Sequence, residues 1–323
     1  MQNQSRILVA VLRDYCARRG LTLAPLCDDW AFVLEGGGRR HLVFGYDLGL
    51  NRSTALQVAN DKAATHQILT LAGLPSVEHV LFHAPAMAEY IPLPGNWRPM
   101  LDYFHRHGGD VVCKPNTGTG GIGVQRVRSE AELEAAVHPL FAAGRSLCLS
   151  PFLAIAREVR VVVLGGRGKL AYEKKRPALT GDGATALFDL LRAEIARAPA
   201  AARLLEQEAL SGRLGPLDRV PARGETVTLG WKHNLAWGNR PELLDPAAAA
   251  PLLTLAEAAA AAIGIEVASI DLIETADGLA VIEINAGLMM ESFARVSPAF
   301  HACAAALYTE ALDQVFAPAG EPR

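Results

Sequence analysis

Apolar residues recur along the chain in short alternating runs, separated by glycine- and proline-rich breaks and by a few stretches with helical spacing. Residues 7–19 read as a helix stopped by Gly20, and LTLAPL, AFVLE and RRHLVF read as short strands, the last two joined across Gly36, Gly37 and Gly38. This opening unit is too small to be a complete nucleotide-binding domain. NDKAATHQILTLAG then predicts a helix capped by Asn60 and stopped at Gly73, and APAMAEYIPLPGNWRP predicts a loop. Next come a strand (DVVCKP), a glycine-rich turn, a second strand (GVQRV) and a helix whose start carries Ser129 and Glu132 in capping-box spacing. Strands follow in REVRVVVL and KLAYEKKRP, then helical character over 184–210, a helix over 251–263, a strand–turn–strand unit and a final helix. The expectation is an α+β chain with a small N-terminal unit (1–58) and two α+β subdomains, 59–150 and 151–318.

Composition narrows the classes. The 323 residues suffice for several subdomains with an apolar core, and a net charge of −3 gives no basic field for nucleic acid. The five cysteines (Cys16, Cys27, Cys113, Cys148, Cys303) are scattered without C-x-x-C spacing, which argues against a disulfide framework or a zinc site and suits a reducing cytosol. The N-terminus has too short an apolar run and too many arginines for a signal peptide. Residues 245–265 are long and mostly apolar, yet alanine-dominated and broken by Pro251 and Glu257, which reads as a buried helix rather than a membrane span. The expectation is a soluble cytoplasmic protein with no nucleic-acid or membrane partner.

Three segments carry chemistry. KPNTGTGGIGV (114–124) contains G-x-G-x-x-G at Gly118, Gly120 and Gly123, but a strand rather than a helix follows it, which excludes a dinucleotide fingerprint. Its lysine precedes the glycines, which excludes a Walker loop. A glycine-rich loop between two antiparallel strands is a flap whose N–H groups can close over phosphates, with Lys114 supplying charge at its base; an ordinary glycine-rich hairpin is the plainer reading.

In ASIDLIETADGLAVIEIN (268–285), a three-residue turn at Ala276, Asp277 and Gly278 would pair Thr275 with Leu279 and set Asp271 opposite Glu283. Asn285 would project from the same face. Facing carboxylates repel unless a cation lies between them, and an Asp, Glu and Asn set suits Mg²⁺ held jointly with phosphates; a solvated polar face is the alternative. Finally, Glu158 and Arg160 share a face of REVR, and Lys174, Lys175 and Arg176 follow in YEKKRP, cations of the kind that let two anionic substrates meet; a solvent-facing strand position is the plainer reading, and the default for Lys175.

In this order the segments resemble the ATP-grasp superfamily, most closely the ATP-grasp module of cyanophycin synthetase and, after it, glutathione-synthetase-type modules. The resemblance runs from about residue 51 to 288, through Asp61-Lys62, the glycine loop, Glu158 and Arg160, KRPALTGDGATALFDLL, Asn234-Leu235, SIDLIE and VIEINAGL. It implies an ATP-grasp fold with the nucleotide sandwiched between two α+β subdomains, and ATP and Mg²⁺ as cofactors. Lys62 and Lys114 would touch the phosphates and the adenine side, with Thr117, Gly118, Gly120 and Gly121 in the flap. Glu158 would hold the ribose, and Asp271, Glu283 and Asn285 the metal. Arg160 and Arg176 would steady the acyl phosphate, and Asn234 would sit near the γ-phosphate or the acceptor.

This sequence departs from the pattern in three places. Ser150 replaces the glutamate usual before the adenine hinge, leaving the base to backbone groups near Phe152 and Leu153; AGLMMESFA lacks the usual proline–glycine–histidine pattern; and the flanking domains of cyanophycin synthetase are missing, so synthesis of that polymer is not expected. The resemblance implies a ligase that activates a carboxylate as an acyl phosphate and couples it to an amine, on amino acids or small peptides. Phosphate transfer to another acceptor, nucleotide binding without catalysis, and homo-oligomerisation stay open at this point.

Overall fold

The computed structural model describes residues 6–92, 95–197, 214–233, 235 and 239–316. The chain divides into two compact units, residues 1–171 with 244–323, and residues 172–243.

In the first unit, helix Ile7–Arg19 ends on Gly20 in the left-handed conformation and leads into the antiparallel meander β1 (Thr22–Leu26), β2 (Ala31–Gly36) and β3 (Arg39–Phe44). That opening matches the sequence expectation. The helix is tied to the C-terminal helix Pro298–Phe316, where the Tyr15 hydroxyl donates to Asp313 at 3.0 Å.

The next segment forms two helices rather than one. Ser53–Asn60 is already helical, so Asn60 is no cap; the chain breaks at Asp61, whose carboxylate accepts the Ala64 N–H at 2.8 Å and starts helix Lys62–Leu71. The proline-rich stretch also holds more structure than expected. Strand β4 (Val80–Phe82) precedes it, and helix Trp97–Arg106 follows, with Pro99 in its first turn, where a missing N–H costs nothing. Strands β5 (Val111–Pro115), β6 (Gln125–Val127) and β7 (Leu147–Pro151) complete an antiparallel sheet in the order β4-β7-β5-β6. Helices Trp97–Arg106 and Glu130–Ala142 cover it through Met100, Phe104, Leu133 and Ala136. The cap expected at Ser129 is present: its hydroxyl accepts the Glu132 N–H at 3.2 Å.

A second sheet contains β8 (Arg157–Leu164), β9 (Arg167–Lys175), β13 (Val267–Thr275) and β14 (Gly278–Asn285), and the chain passes from the first unit to the second within β9. Val159, Val161 and Val163 of β8 and Ala268, Ile270 and Leu272 of β13 enter one core with helix Pro246–Ile263, which is capped by Asp245 and starts earlier than residue 251. Among the described residues this is the one helix long and apolar enough to cross a membrane; here it buries Ala249, Leu252, Ala256, Ala259 and Ala260 in that core.

The second unit pairs the end of β9 with β12 (Arg240–Leu243), and β10 (Ala178–Thr180) with β11 (Thr226–Thr228). Helix Leu187–Arg197 packs there through Leu187 and Leu191 on Leu179, Val227 and Leu229. The remainder of the helical stretch expected over 184–210 lies outside the described residues from 198 onward.

The end of β14 is fixed by a close approach. A Cβ at Gly287 would stand 3.1 Å from the Tyr46 carbonyl oxygen, a backbone atom with little freedom to move. Gly287→Ala is expected to destabilise the protein by about 1–3 kcal/mol, read as a lower thermal midpoint. An unchanged midpoint would show that the Tyr46 backbone does not press on this turn.

Candidate functional site

Strand alternation decides which side chains meet. On β8 the valines at 159, 161 and 163 take the core side, so Glu158 and Arg160 point to the opposite face; on β13 Ile270 and Leu272 do the same for Ser269 and Asp271. Strand β14 departs from simple alternation, since Val281 and Ile284 both reach the core. A bulge makes this possible: Leu272 pairs with Val281, but Asp271 pairs with Glu283, so Ile282 is the extra residue.

The hairpin turn is also shorter than expected. Thr275 pairs with Gly278, not Leu279, leaving Ala276 and Asp277 as the turn. The shorter turn and the bulge offset one another by one residue. Asp271 therefore stands opposite Glu283, as the sequence suggested, and Asn285 lies opposite Ser269 on the same face.

Both carboxylates hold cations. Arg160, opposite Asp271 in register, donates from Nε at 2.8 Å and from an Nη at 2.7 Å, a two-pronged pair with Asp271 almost wholly buried. Lys62 Nζ lies 3.0 Å from Glu283 Oε1 and donates to the Gly118 carbonyl at 2.8 Å. One ammonium thus joins the carboxylate hairpin to the glycine loop.

The loop joins antiparallel β5 and β6, as expected of a flap. Its base is anchored to the Asp61–Lys62 helix start. The Asn116 amide donates to Asp61 at 2.6 Å and its oxygen accepts the Ala63 N–H at 3.1 Å, while the Lys62 N–H donates to the Asn116 carbonyl at 3.2 Å. Beyond Asn116 the loop is exposed: Thr117, Gly118 and Gly120 lie at the surface, and Gly121 is half-buried. Gly118 has φ 120° and would bring a Cβ to 3.2 Å from the Arg145 guanidinium, which donates to the Thr117 carbonyl. Only glycine suits that position.

Lys114 is buried at the loop base, opposite Cys148. Burial holds its ammonium below the usual lysine range, an effect opposed by Cys148, Glu283 and Glu158 and reinforced by Lys62. Glu158 is buried on β8. The electrostatic reach of Lys114 therefore covers Lys62, Glu158 and Glu283, gathering the expected phosphate, ribose and metal residues into one neighbourhood of the first unit.

At the hinge, Ser150 is buried on β7 opposite Val112. The Phe152 N–H donates to the Asp110 carbonyl at 3.2 Å, so its amide is engaged within the fold; Leu153 follows half-buried. The Phe152 ring carries the Arg126 guanidinium at 3.5 Å from its centroid, and Arg126 is forked onto Asp110 at 2.8 and 2.5 Å. Arg176 belongs to the second unit, where it donates to the Gly230 carbonyl at 3.2 Å and burial lowers its pKa. Asn234 lies outside the described residues.

Sequence reasoning missed Asn116 and Arg126, which fix the flap base and the hinge, and Glu291, a buried acid in the tail. Asn116 was legible as the polar residue between Pro115 and the glycines. Glu291 had only one signal, an acid beside two methionines.

The residues present fit a magnesium ion: Asp271, Glu283 and Asn285 offer oxygen donors on one face, and the two acids already attract positive charge.

No protein-family model matches the chain. It is 33% identical over 110 residues to a D-alanine–D-alanine ligase of Desulfovibrio desulfuricans, a match covering 33% of this chain and 31% of that relative's length. A bifunctional glutathione synthetase from Pasteurella multocida superposes with TM-score 0.52 at 18% identity, over 90% of this chain and 41% of that one. A D-alanine–D-alanine ligase from Bacillus anthracis superposes with TM-score 0.52 at 14% identity, over 82% and 69%. These superpositions identify the α+β architecture as the ATP-grasp fold.

Two consequences are measurable. Lys62→Met removes the ammonium that joins Glu283 to Gly118, so amide exchange across 117–122 should quicken in nucleotide-free protein; unaltered exchange would contradict the tether. Arg160→Ala takes the forked guanidinium away from a buried carboxylate, and should cost about 3–5 kcal/mol of stability. Millimolar Mg²⁺ should recover part of that loss in the variant while shifting the parent protein less. A variant as stable as the parent would show the pair to be marginal.

Proposed function

On this ATP-grasp fold we propose an ATP- and Mg²⁺-dependent ligase that activates a carboxylate as an acyl phosphate and couples it to an amine, releasing ADP and phosphate. The observation that carries the reading is the opposition of Asp271 and Glu283 across the β13–β14 ladder, with Asn285 on the same face and the flap tied to Glu283 through Lys62. Magnesium bound there would offset charge on the nucleotide phosphates. The protein's own part is to hold the three oxygen donors in register and to bring the flap amides, Lys62 and Lys114 to the phosphates.

Glu158 is assigned to the ribose, and Ser150, Phe152 and Leu153 to the adenine pocket, with Thr117, Gly118, Gly120 and Gly121 closing over the phosphates. Arg160 orients Asp271 in the resting geometry, and reaches the acyl phosphate only by giving up a prong of that pair. Arg176 and Asn234 are assigned to the reacting groups on the strength of their place in the motif order.

Small amino-acid or peptide substrates are in keeping with the relatives, which are ligases of D-alanine and a glutathione synthetase. The cytoplasm is the proposed compartment, and the subdomain limits 1–58, 59–150 and 151–318 are proposed with it.

The test is phosphate release from ATP and Mg²⁺ with paired amino acids, followed by identification of the coupled product. Asp271→Ala and Glu283→Ala are each expected to abolish metal-dependent release while the protein stays folded. Release without an amide product would indicate transfer to another acceptor, and nucleotide binding without release a non-catalytic role. In the same assay Arg160→Lys, which keeps charge but loses the fork, should lower kcat about a hundredfold; a near-parental kcat would remove Arg160 from the chemistry.

A further inference from the structure

The chain beyond Asn285 is clamped from two sides. The Leu288 N–H donates to the Tyr46 carbonyl at 3.4 Å, and the Gly287 backbone lies against the same carbonyl. The Tyr308 hydroxyl donates to the Leu288 carbonyl at 2.6 Å and accepts the Met290 N–H at 3.1 Å. This clamp delivers Glu291 as the first residue of the short helix Glu291–Ala294, with its side chain turned inward.

Glu291 is only 9% exposed, and both carboxylate oxygens are buried with no donor at full hydrogen-bond geometry; the Tyr46 hydroxyl and the Glu291 N–H bear on them more loosely. The Tyr46 and Tyr308 rings and the guanidinium groups of Arg6 and Arg295 surround it. Arg6 is engaged elsewhere as well: it lies 4.6 Å from the Trp30 ring centroid and 5.2 Å from that of Tyr46, and donates to the Gly45 carbonyl at 2.8 Å and to the Asp29 carbonyl. Burial raises the Glu291 pKa above the usual carboxylate range, and burial together with the Glu291 charge pushes the Tyr46 hydroxyl up to about 12. A buried carboxylate whose donors hold it only loosely gains from a further positive group that reaches it.

We propose that Glu291, with Tyr46 beside it, binds the ammonium group of an amino-acid substrate and sets the enzyme's preference for that class. The proposal rests on the ligase reading above. A carboxylate against an aromatic ring suits an ammonium, which gains both an ion pair and attraction to the ring face. The position is suitable. Five residues separate Glu291 from Asn285, at most about 20 Å of chain, and the Gly287 N–H bond to the Asn285 carbonyl shortens that path. Arg295 is exposed and Tyr46 half-buried; in the proposed complex these two side chains rotate aside to admit the ammonium.

The experiment compares thermal midpoints of the full chain in ADP and Mg²⁺ with each common amino acid, against the matching deaminated carboxylic acid at the same concentration. At least one amino acid should raise the parental midpoint while its deaminated partner does not. Glu291→Gln should weaken that amino acid at least tenfold, with the ligand-free midpoint unchanged or higher, because a buried and loosely held charge has been removed.

Three results would overturn the proposal: a Glu291→Gln protein that keeps the parental shift, amino acids that act no differently from their deaminated partners, or a ligand-free variant that melts several degrees lower or fails to fold. The last would make Glu291 a structural acid. Because binding is read without turnover, failure of the ligase reading shows separately, as amino-acid binding with no phosphate released by any pair.

Discussion

Two like charges face one another across the β13–β14 ladder, and the rest of the site is arranged around that repulsion. Asp271 and Glu283 would drive the strands apart if left alone. Each is instead met by a cation from a different element: Arg160 from the neighbouring strand β8, and Lys62 from the first turn of a helix. The sheet, that helix and the glycine loop therefore meet at one electrostatic point. The burial of Asp271 makes its partner matter more than a surface ion pair would, since an unpaired charge there has no water to turn to. In the proposed ligase, a metal and a polyphosphate would take over from these internal cations.

The core explains why the charges stand where they do. Helix Pro246–Ile263 and the valines of β8 occupy one face of the sheet, which leaves the polar residues of β8, β13 and β14 the other. The bulge at Ile282 lets β14 feed both Val281 and Ile284 into that core while still turning Glu283 toward Asp271. Without it, strict alternation would put Val281 and Glu283 on the same face, so that either Val281 left the core or Glu283 entered it.

Much of this was legible in the sequence, for reasons that differ by element. The strand–glycine loop–strand order around Lys114 was readable because glycine clusters punctuate strands strongly, and the helix stop at Gly20 for the same reason. The facing of Asp271 and Glu283 was reached through a turn one residue too long, corrected by a bulge that no local signal at Ile282 announces. The break at Asp61 was hidden because Asp61 follows an asparagine that could itself have capped a helix; what decides is the tertiary contact with Asn116. Helix Trp97–Arg106 was concealed by prolines that a first helical turn tolerates. Glu291 gave only the faint signal of an acid beside two methionines, because Tyr46 and Tyr308, which flank it, are remote in sequence.

The central claim is that the opposed carboxylates and Asn285 form the metal site of a nucleotide-binding fold. Crystals grown with ADP and Mn²⁺ test it most directly, through the anomalous scattering of manganese. The account predicts a peak within bonding distance of Asp271, Glu283 and Asn285, with Lys62 withdrawn from Glu283 toward phosphate. A nucleotide bound with its metal elsewhere, and Lys62 still paired to Glu283, would contradict it.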